Sequence, residues 1–249
     1  MQPSERRKWL LKKIQVNGKV EIDQLSEELD VSAMTIRRDL DQLEEEGKVI
    51  RVHGGAVGAN SLTKETPFLT KEGRNIEQKR MIAQKALSLI QDGQTILLDS
   101  GTTTIELARL LKTKNHLTVI TNDIKIAAEL VDSKLKVIVT GGELQNDVGA
   151  LFGPQAHHFL NQIHVDLFFL GAHAIDLEAG ITSPTFEKSL IKQLMIKAAA
   201  RTWLLADSSK LNQKAFSKVC DLNELKGFIT DDGMSEQIRL ILSERLEIL

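Results

Sequence analysis

A hydroxyl-rich loop and an arginine pair are the two features of this sequence whose residue types and spacing could do chemistry. Hydroxyl groups, together with the free backbone amides at the start of a helix, can surround an anion, and a glycine lets the backbone approach it closely. The arginines, Arg37 and Arg38, offer paired donors that fit O6 and N7 of guanine. The loop lies between an apolar run and a helical pattern and consists of Asp99, Ser100, Gly101, Thr102, Thr103 and Thr104.

Two further polar or glycine-containing pairs follow apolar runs in the same half of the chain. They are Thr121-Asn122 and Gly141-Gly142. Parallel strands deliver their carboxyl ends to one edge of a sheet, where open α/β sheets bind ligands. We therefore expect both pairs to join the loop in one anion-binding site. An ordinary turn at the glycines, and a simple helix cap at the threonines, stay open as alternatives.

Short apolar runs that alternate with helical patterns must position these residues. Such alternation predicts an α/β fold, a Rossmann-like domain with a mostly parallel sheet and helices on both faces. We predict this domain over residues 73–249, after a polar linker at 58–72. The runs are 95–99, 117–121, 135–140, 165–171, 202–207 and 227–230.

The N-terminal part has a different pattern, which predicts a winged helix-turn-helix over residues 1–57. Three helices are expected at about 4–17, capped by Ser4, 23–29 and 32–46, followed by a hairpin bent at Gly54-Gly55.

The third helix is predicted to pack its apolar face inward and to present arginines to a DNA major groove. Ile36, Leu40 and Leu43 share one arc, and Arg38 lies opposite. Alternatively, the arginines form a solvated face of a protein-interaction module. The residues predicted to contact DNA are Ser32, Thr35, Arg37 and Arg38, with Arg51 and His53 from the wing.

Residues 31–57, VSAMTIRRDLDQLEEEGKVIRVHGGAV, resemble the DeoR family of bacterial transcription regulators. The shared elements are the Val31-Ser32 turn, the segment from Thr35 to Leu40, and the wing segment from Arg51 to Ala56. The resemblance extends over nearly the whole chain. It implies a repressor whose DNA binding is controlled by a phosphorylated sugar or a related metabolite.

The segment 165–210 resembles the ribose-phosphate isomerases of the same superfamily. Those enzymes carry Gly-Ala-Asp-Glu after a strand, whereas this chain has Gly171-Ala172-His173-Ala174. Isomerisation needs a positioned base. The missing acid indicates a pocket that binds without turnover, although His173 and Glu187 are alternative bases and an isomerase joined to a DNA-binding module stays the rival function.

Three lysines complete the predicted effector site. Lys210 is expected to point at the ligand or to anchor Asp207. Lys188 and Lys192 lie four residues apart on one helix and could neutralise phosphate, although a solvated face is the usual alternative for such a pair.

Composition excludes several classes of protein. The chain has 249 residues, a net charge of −2, 42% hydrophobic residues and a single cysteine, so disorder and internal disulfides are excluded. No stretch of about 18 apolar residues occurs, and the basic start lacks a signal-peptide core. We expect a cytoplasmic protein without cofactor or metal. Its expected partners are operator DNA, a phosphorylated sugar and a second copy in a homodimer or homotetramer.

Overall fold

The chain forms two compact units, Met1–Leu62 and Thr63–Leu249. The structure is a computed structural model that describes residues 1–17, 19–52, 54–58, 62–63 and 65–249, with backbone alone at 15, 16, 19, 52 and 57. None of the helices in these ranges is both long and apolar enough to span a bilayer.

The first unit is a winged helix-turn-helix. Its three strands form an antiparallel sheet in the order β1-β3-β2. Apolar side chains from all three helices and from the wing make one core, which includes Leu10, Leu25 and Ile36. Its elements are α1 (Pro3–Asn17), β1 (Lys19–Glu21), α2 (Ile22–Leu29), α3 (Ala33–Glu45), β2 (Val49–Val52) and β3 (Gly55–Gly58).

Two details of this unit differ from the sequence prediction. The first helix begins at Pro3, so Ser4 lies within the first turn and is not its cap. Proline is favoured at that position because its missing N–H would be unpaired there anyway. The wing gains a third strand, β1, which pairs with β3. At that pairing a Cβ on Gly55 would lie 1.9 Å from the carbonyl oxygen of Val20, so only glycine fits.

The second unit is a three-layer α/β domain with a seven-stranded parallel sheet in the order β15-β14-β12-β9-β4-β5-β6. Its helices are α4 (Phe68–Glu72), α5 (Ile76–Leu87), α6 (Thr102–Leu111), α7 (Ile124–Glu129), α8 (Pro154–Leu160), α9 (Phe186–Ala198) and α10 (Glu236–Ser243). The sheet strands are β4 (Thr95–Leu98), β5 (Thr118–Thr121), β6 (Lys136–Val139), β9 (Val165–Gly171), β12 (Ala199–Leu205), β14 (Gly227–Ile229) and β15 (Glu247–Ile248).

Alternate residues of the central strands face opposite sides of this sheet, which produces two hydrophobic cores. Leu167 and Phe169 enter the core beneath α5 and α6, whereas Phe168 and Leu170 enter the core beneath α8 and α9. The predicted fold class, a winged helix-turn-helix followed by a Rossmann-like domain with a parallel sheet, is confirmed.

Two smaller sheets lie outside the main sheet and were not predicted. One is the hairpin of β7 (Glu143–Gln145) and β8 (Ala150–Phe152). The other has the order β10-β11-β13 and comprises β10 (Ala174–Asp176), β11 (Gly180–Ser183) and β13 (Ser217–Cys220). Their strands are only three or four residues long, too short for a clear alternation of apolar and polar residues.

Part of the predicted linker, 58–72, is ordered as the beginning of the second unit. Phe68 is buried in the core beneath α5 and α6, and its N–H donates to the carbonyl of Asp147 at 2.9 Å. The ammonium of Lys125 lies 4.5 Å from the centre of the Phe68 ring. Phe68 therefore fixes the chain at the start of α4.

Candidate nucleic-acid interface and effector site

The N-terminal end of α3 is exposed and carries the residues predicted to contact DNA. The Ser32 hydroxyl caps the helix by accepting from the N–H of Thr35 at 3.2 Å. Arg37 and Arg38 are exposed, whereas Ile36 is fully buried beneath them. Within the described residues neither arginine has an ion-pair partner, so both guanidinium groups are available.

Arg51 has a role inside the unit that the sequence did not indicate. Its guanidinium donates to Asp41 at 3.0 Å and to the carbonyl of Gly55 at 2.7 Å, which ties the wing to α3. This pairing also balances the charge of Asp41. Contact of Arg51 with DNA stays a prediction, and His53 lies outside the described residues.

A buried ion pair joins α1 to the recognition helix. The guanidinium of Arg6 donates to the carboxylate of Asp39, and both residues are less than 10% exposed. Asp39 directly follows the two exposed arginines. Its burial therefore sets the rotation of α3 that turns those arginines outward.

In the second unit, the order in which successive strands are added to the sheet reverses between β4 and β9. Strands β4, β5 and β6 run to one side, and β9, β12 and β14 run to the other. Ligands of open α/β sheets bind in the crevice at such a switch point. Asp99 directly follows β4 and Gly171 ends β9, so both residues flank the crevice.

Lys192, from α9, occupies the floor of this crevice. Its ammonium donates to the carboxylate of Asp99 and, at 2.9 Å, to the carbonyl of Gly171; the same carboxylate accepts from the N–H of Gly171 at 2.9 Å. Burial lowers the pKa of Lys192, and the charge of Asp99 opposes that effect. A solvated face is excluded for Lys192 and for Lys188, because both are less than 10% exposed.

The 99–104 loop uses some of its predicted ligand groups for its own structure. The Thr104 hydroxyl donates to the carbonyls of Asp99 and Gly101 at 2.7 and 2.9 Å, and Ser100 donates to Asp123 at 2.8 Å. Thr102 and Thr103 open α6 and, with the free amides of its first turn, stay the predicted anion-binding groups.

The other two predicted strand ends lie on the neighbouring strands β5 and β6, as the topology requires. The Thr121 hydroxyl is fully buried and donates to the carbonyl of Leu98 at 2.9 Å, so it fixes the strand end. Asn122 donates to Leu151, while its buried Oδ1 has no partner within the described residues. Gly142 has φ +116°, and a Cβ there would lie 2.1 Å from the carbonyl oxygen of Phe152. This close contact by itself requires a glycine at position 142, so no ligand is needed to explain that residue.

A cluster of charged residues lies at the same edge of the sheet. The carboxylate of Glu65 accepts from Lys71 at 2.9 Å and from Lys188 at 2.5 Å. Lys210, which follows β12, and His173, which follows β9, are close enough to influence the pKa values of this group. Burial, assisted by the charges of Lys188 and Lys210, lowers the pKa of Lys71 to about 8, although Glu65 raises it.

His173 is a neutral side chain at neutral pH. Burial lowers its pKa to about 4, with the nearby lysines acting in the same direction and Glu65 opposing them. It can therefore accept or donate a hydrogen bond to a ligand hydroxyl. Glu187 is exposed and directly precedes the buried Lys188 in α9.

Two polar residues next to the cluster were missed in the sequence. The amide of Asn75 donates to the carboxylate of Asp207 at 3.0 Å. The ammonium of Lys79 donates to the carbonyls of Lys71 and Glu72 at 2.5 and 3.4 Å. Asp207 is thus held by Asn75 and Ser209, and Lys210 reaches it only through a backbone hydrogen bond. The part of the chain that the structure describes holds no group of three metal-ligating side chains.

Comparison with known proteins agrees with both halves of this geometry. Residues 6–62 match the DeoR-like helix-turn-helix domain, and residues 74–232 match the DeoR C terminal sensor domain. The chain belongs to the DeoR family of transcription regulators. It is a regulator and not an enzyme, which removes the isomerase as a rival function.

Relatives of this DeoR-family regulator match it over almost its full length. The HTH-type transcriptional regulator GlpR of Haloferax volcanii is 38% identical over 96% of this chain and 94% of its own. The putative aga operon transcriptional repressor of Escherichia coli O157:H7 is 35% identical over 93% and 87%. The lactose phosphotransferase system repressor of Staphylococcus epidermidis is 34% identical over 92% of both chains.

Solved structures resemble only part of the chain. Ribose 5-phosphate isomerase A of Methanocaldococcus jannaschii is 18% identical with a TM-score of 0.42, covering 55% of each chain. The eIF2B delta subunit of Chaetomium thermophilum is 17% identical with a TM-score of 0.48, covering 63% of this chain and 56% of its own.

Proposed function

We propose that this regulator represses an operon for carbohydrate catabolism in the cytoplasm and that a phosphorylated sugar relieves the repression. Residues 1–57, within the first unit, bind operator DNA. Residues 73–249, within the second unit, bind the effector and mediate assembly into a homodimer or homotetramer. Two of the relatives are named as repressors of an aga operon and of a lactose phosphotransferase system, which supports a role in sugar metabolism.

The observation that carries the DNA-binding half is the exposure of Arg37 and Arg38 at the N-terminal end of α3. Side chains at that end of a recognition helix reach base edges in the major groove. Ser32 and Thr35, at the helix start, are suited to phosphate contacts. A single small unit makes few such contacts, so we expect two half-sites to be read by an oligomer.

The effector half is supported by the charged crevice between β4 and β9. Residues 99–104 supply helix-start amides, and Lys188, Lys192 and Lys210 supply positive charge at the same edge of the sheet. Asn122, Gly141-Gly142, His173 and Glu187 remain expected contributors, with His173 suited to a sugar hydroxyl. A phosphate group fits this combination because amides and ammonium groups both stabilise dianions.

The experiment is a duplex-binding titration of the full-length protein against a library of DNA sites, with wild type and Arg38→Ala compared. We expect the wild type to select one sequence and to bind it less tightly as salt rises. Arg38→Ala should lose about 1–3 kcal/mol of discrimination at one base pair, since it removes a bidentate contact to guanine. Glu45→Ala, on the same helix but further from its start, is the matched control.

Selection of the same sequence by a variant with both Arg37→Ala and Arg38→Ala would refute the assignment of α3 as the reading helix. Binding that does not respond to salt would refute nucleic acid as the partner, because phosphate contacts release counterions.

A further inference from the structure

Glu65 bridges two lysines in the charged crevice of the second unit. Its two carboxylate oxygens accept separately from Lys71 and Lys188, at 2.9 and 2.5 Å. The side chain is only 13% exposed, and that of Lys188 is 9% exposed. Although burial opposes ionisation, the two lysines lower the pKa of Glu65 to about 2. A fixed negative charge therefore lies between two ammonium groups, of which that of Lys188 is buried.

Among the residues that the structure describes, Glu65 is the carboxylate that accepts from both Lys71 and Lys188. Lys192 is paired with Asp99, but Glu65 serves both Lys71 and Lys188, and Lys210 adds a further positive charge nearby. The pKa of Lys71 is lowered to about 8 by burial and by its like-charged neighbours in spite of Glu65. A group with two negative charges, such as a phosphate, would balance the two lysines better than one carboxylate does.

Glu65 also lies close to the connection between the two units. It lies three residues after Leu62, which ends the first unit. On its other side, Phe68 is buried in the core and bonded to Asp147, so the chain is fixed there independently. The ion pairs of Glu65 thus fix the chain shortly after the end of the first unit.

We propose that Glu65 occupies the anion subsite of Lys71 and Lys188, and that the phosphate of the effector binds there by displacing it. The inference rests on the proposed function and adds the subsite and the means of signalling. Phosphate and the carboxylate compete for the same ammonium groups. Phosphate binding therefore breaks the ion pairs of Glu65, while Phe68 stays in the core. The effector then alters DNA binding by the first unit without contacting that unit.

The test compares wild type with Glu65→Gln in thermal unfolding under rising inorganic phosphate, at constant ionic strength with chloride. Removing the competitor should make phosphate bind about 5- to 150-fold more tightly, the usual range for coupled sites. Without phosphate the variant should melt at a lower temperature than wild type, and phosphate should restore more than it adds to wild type. Glu129→Gln is the matched control, because Glu129 also bridges two cations, Lys112 and Arg109.

A second measurement needs no variant. Phosphate added to wild type should accelerate hydrogen–deuterium exchange in peptides covering 62–67 and leave α4 protected. Glu65→Asp, whose shorter side chain cannot span both lysines, should bind phosphate with intermediate affinity if Glu65→Gln does not fold.

The outcomes separate the two ideas. If phosphate stabilises wild type but binds Glu65→Gln no more tightly, or if exchange at 62–67 does not rise, the displacement of Glu65 is refuted and the effector site stands. If phosphate and sugar phosphates stabilise neither protein, the effector class of the proposed function fails as well.

Discussion

His173 is a residue whose pKa is strongly changed by its surroundings. It faces Glu65, Lys71, Lys188 and Lys210, and burial is the largest cause of its pKa of about 4. An unfolded histidine has a pKa near 6.5, so between pH 4 and 6.5 the unfolded state binds a proton that the native state does not. The free energy of unfolding must therefore fall as the pH is lowered through this window.

We expect His173→Gln to remove part of that pH dependence. Between pH 7 and pH 4.5 wild type should lose about 1–3 kcal/mol more stability than the variant, because glutamine has no proton to gain. The measurement is urea unfolding of the second unit at the two pH values. His158→Gln, in an exposed histidine of α8, is the control, and equal pH profiles for wild type and His173→Gln would contradict the burial argument.

At the scale of elements, the contact between α1 and α3 depends on a buried ion pair. Replacing one member leaves the other charge buried and unpaired, which costs about 3–5 kcal/mol. We therefore expect Asp39→Asn to destabilise the first unit by that amount. Asp41→Asn, which removes an exposed partner of Arg51, should cost about 0–1 kcal/mol.

The two tryptophans make this measurement specific to one unit. Trp9 lies on α1 against the core of the first unit, and Trp203 is buried in the second. In a Trp203→Phe background, fluorescence during denaturation reports the first unit alone. Equal midpoints for Asp39→Asn and Asp41→Asn would show that the buried pair does not hold α3.

Element order and the parallel sheet could be predicted from the sequence, because long apolar runs and helical periodicity are local signals. The ion pairs of the charged cluster could not, although Lys188, Lys210 and His173 were expected near the ligand. Glu65 and Lys188 are 123 residues apart, and Lys192 and Asp99 are 93 apart. Lys188 and Lys192 look like a solvated helix face when read locally, and only the packing of α9 against the sheet buries them. Glu65 and Lys71 lie in a polar stretch that resembles a linker.

At the scale of the whole molecule, the proposed function requires that an effector bound to the second unit alter DNA binding by the first. We expect one phosphorylated sugar, and not its free sugar, to raise the melting temperature of the second unit. At about 100 times its dissociation constant it should add about 2.7 kcal/mol of stability. The same compound should weaken operator binding. A shift produced equally by the free sugar would argue against a phosphate site, and stabilisation without an effect on operator binding would argue against coupling.

The anchoring of Phe68 limits what any effector can do to the DNA-binding unit. Only residues 63–67 separate that anchor from Leu62, and five fully extended residues reach no further than about 17 Å. Such a short connection keeps the DNA-binding unit close to the second unit, and its local concentration there high, whether or not a ligand is bound. Under the proposed function, displacement of Glu65 would therefore widen the range of angles at which two such units meet the double helix, and it would not let them diffuse away.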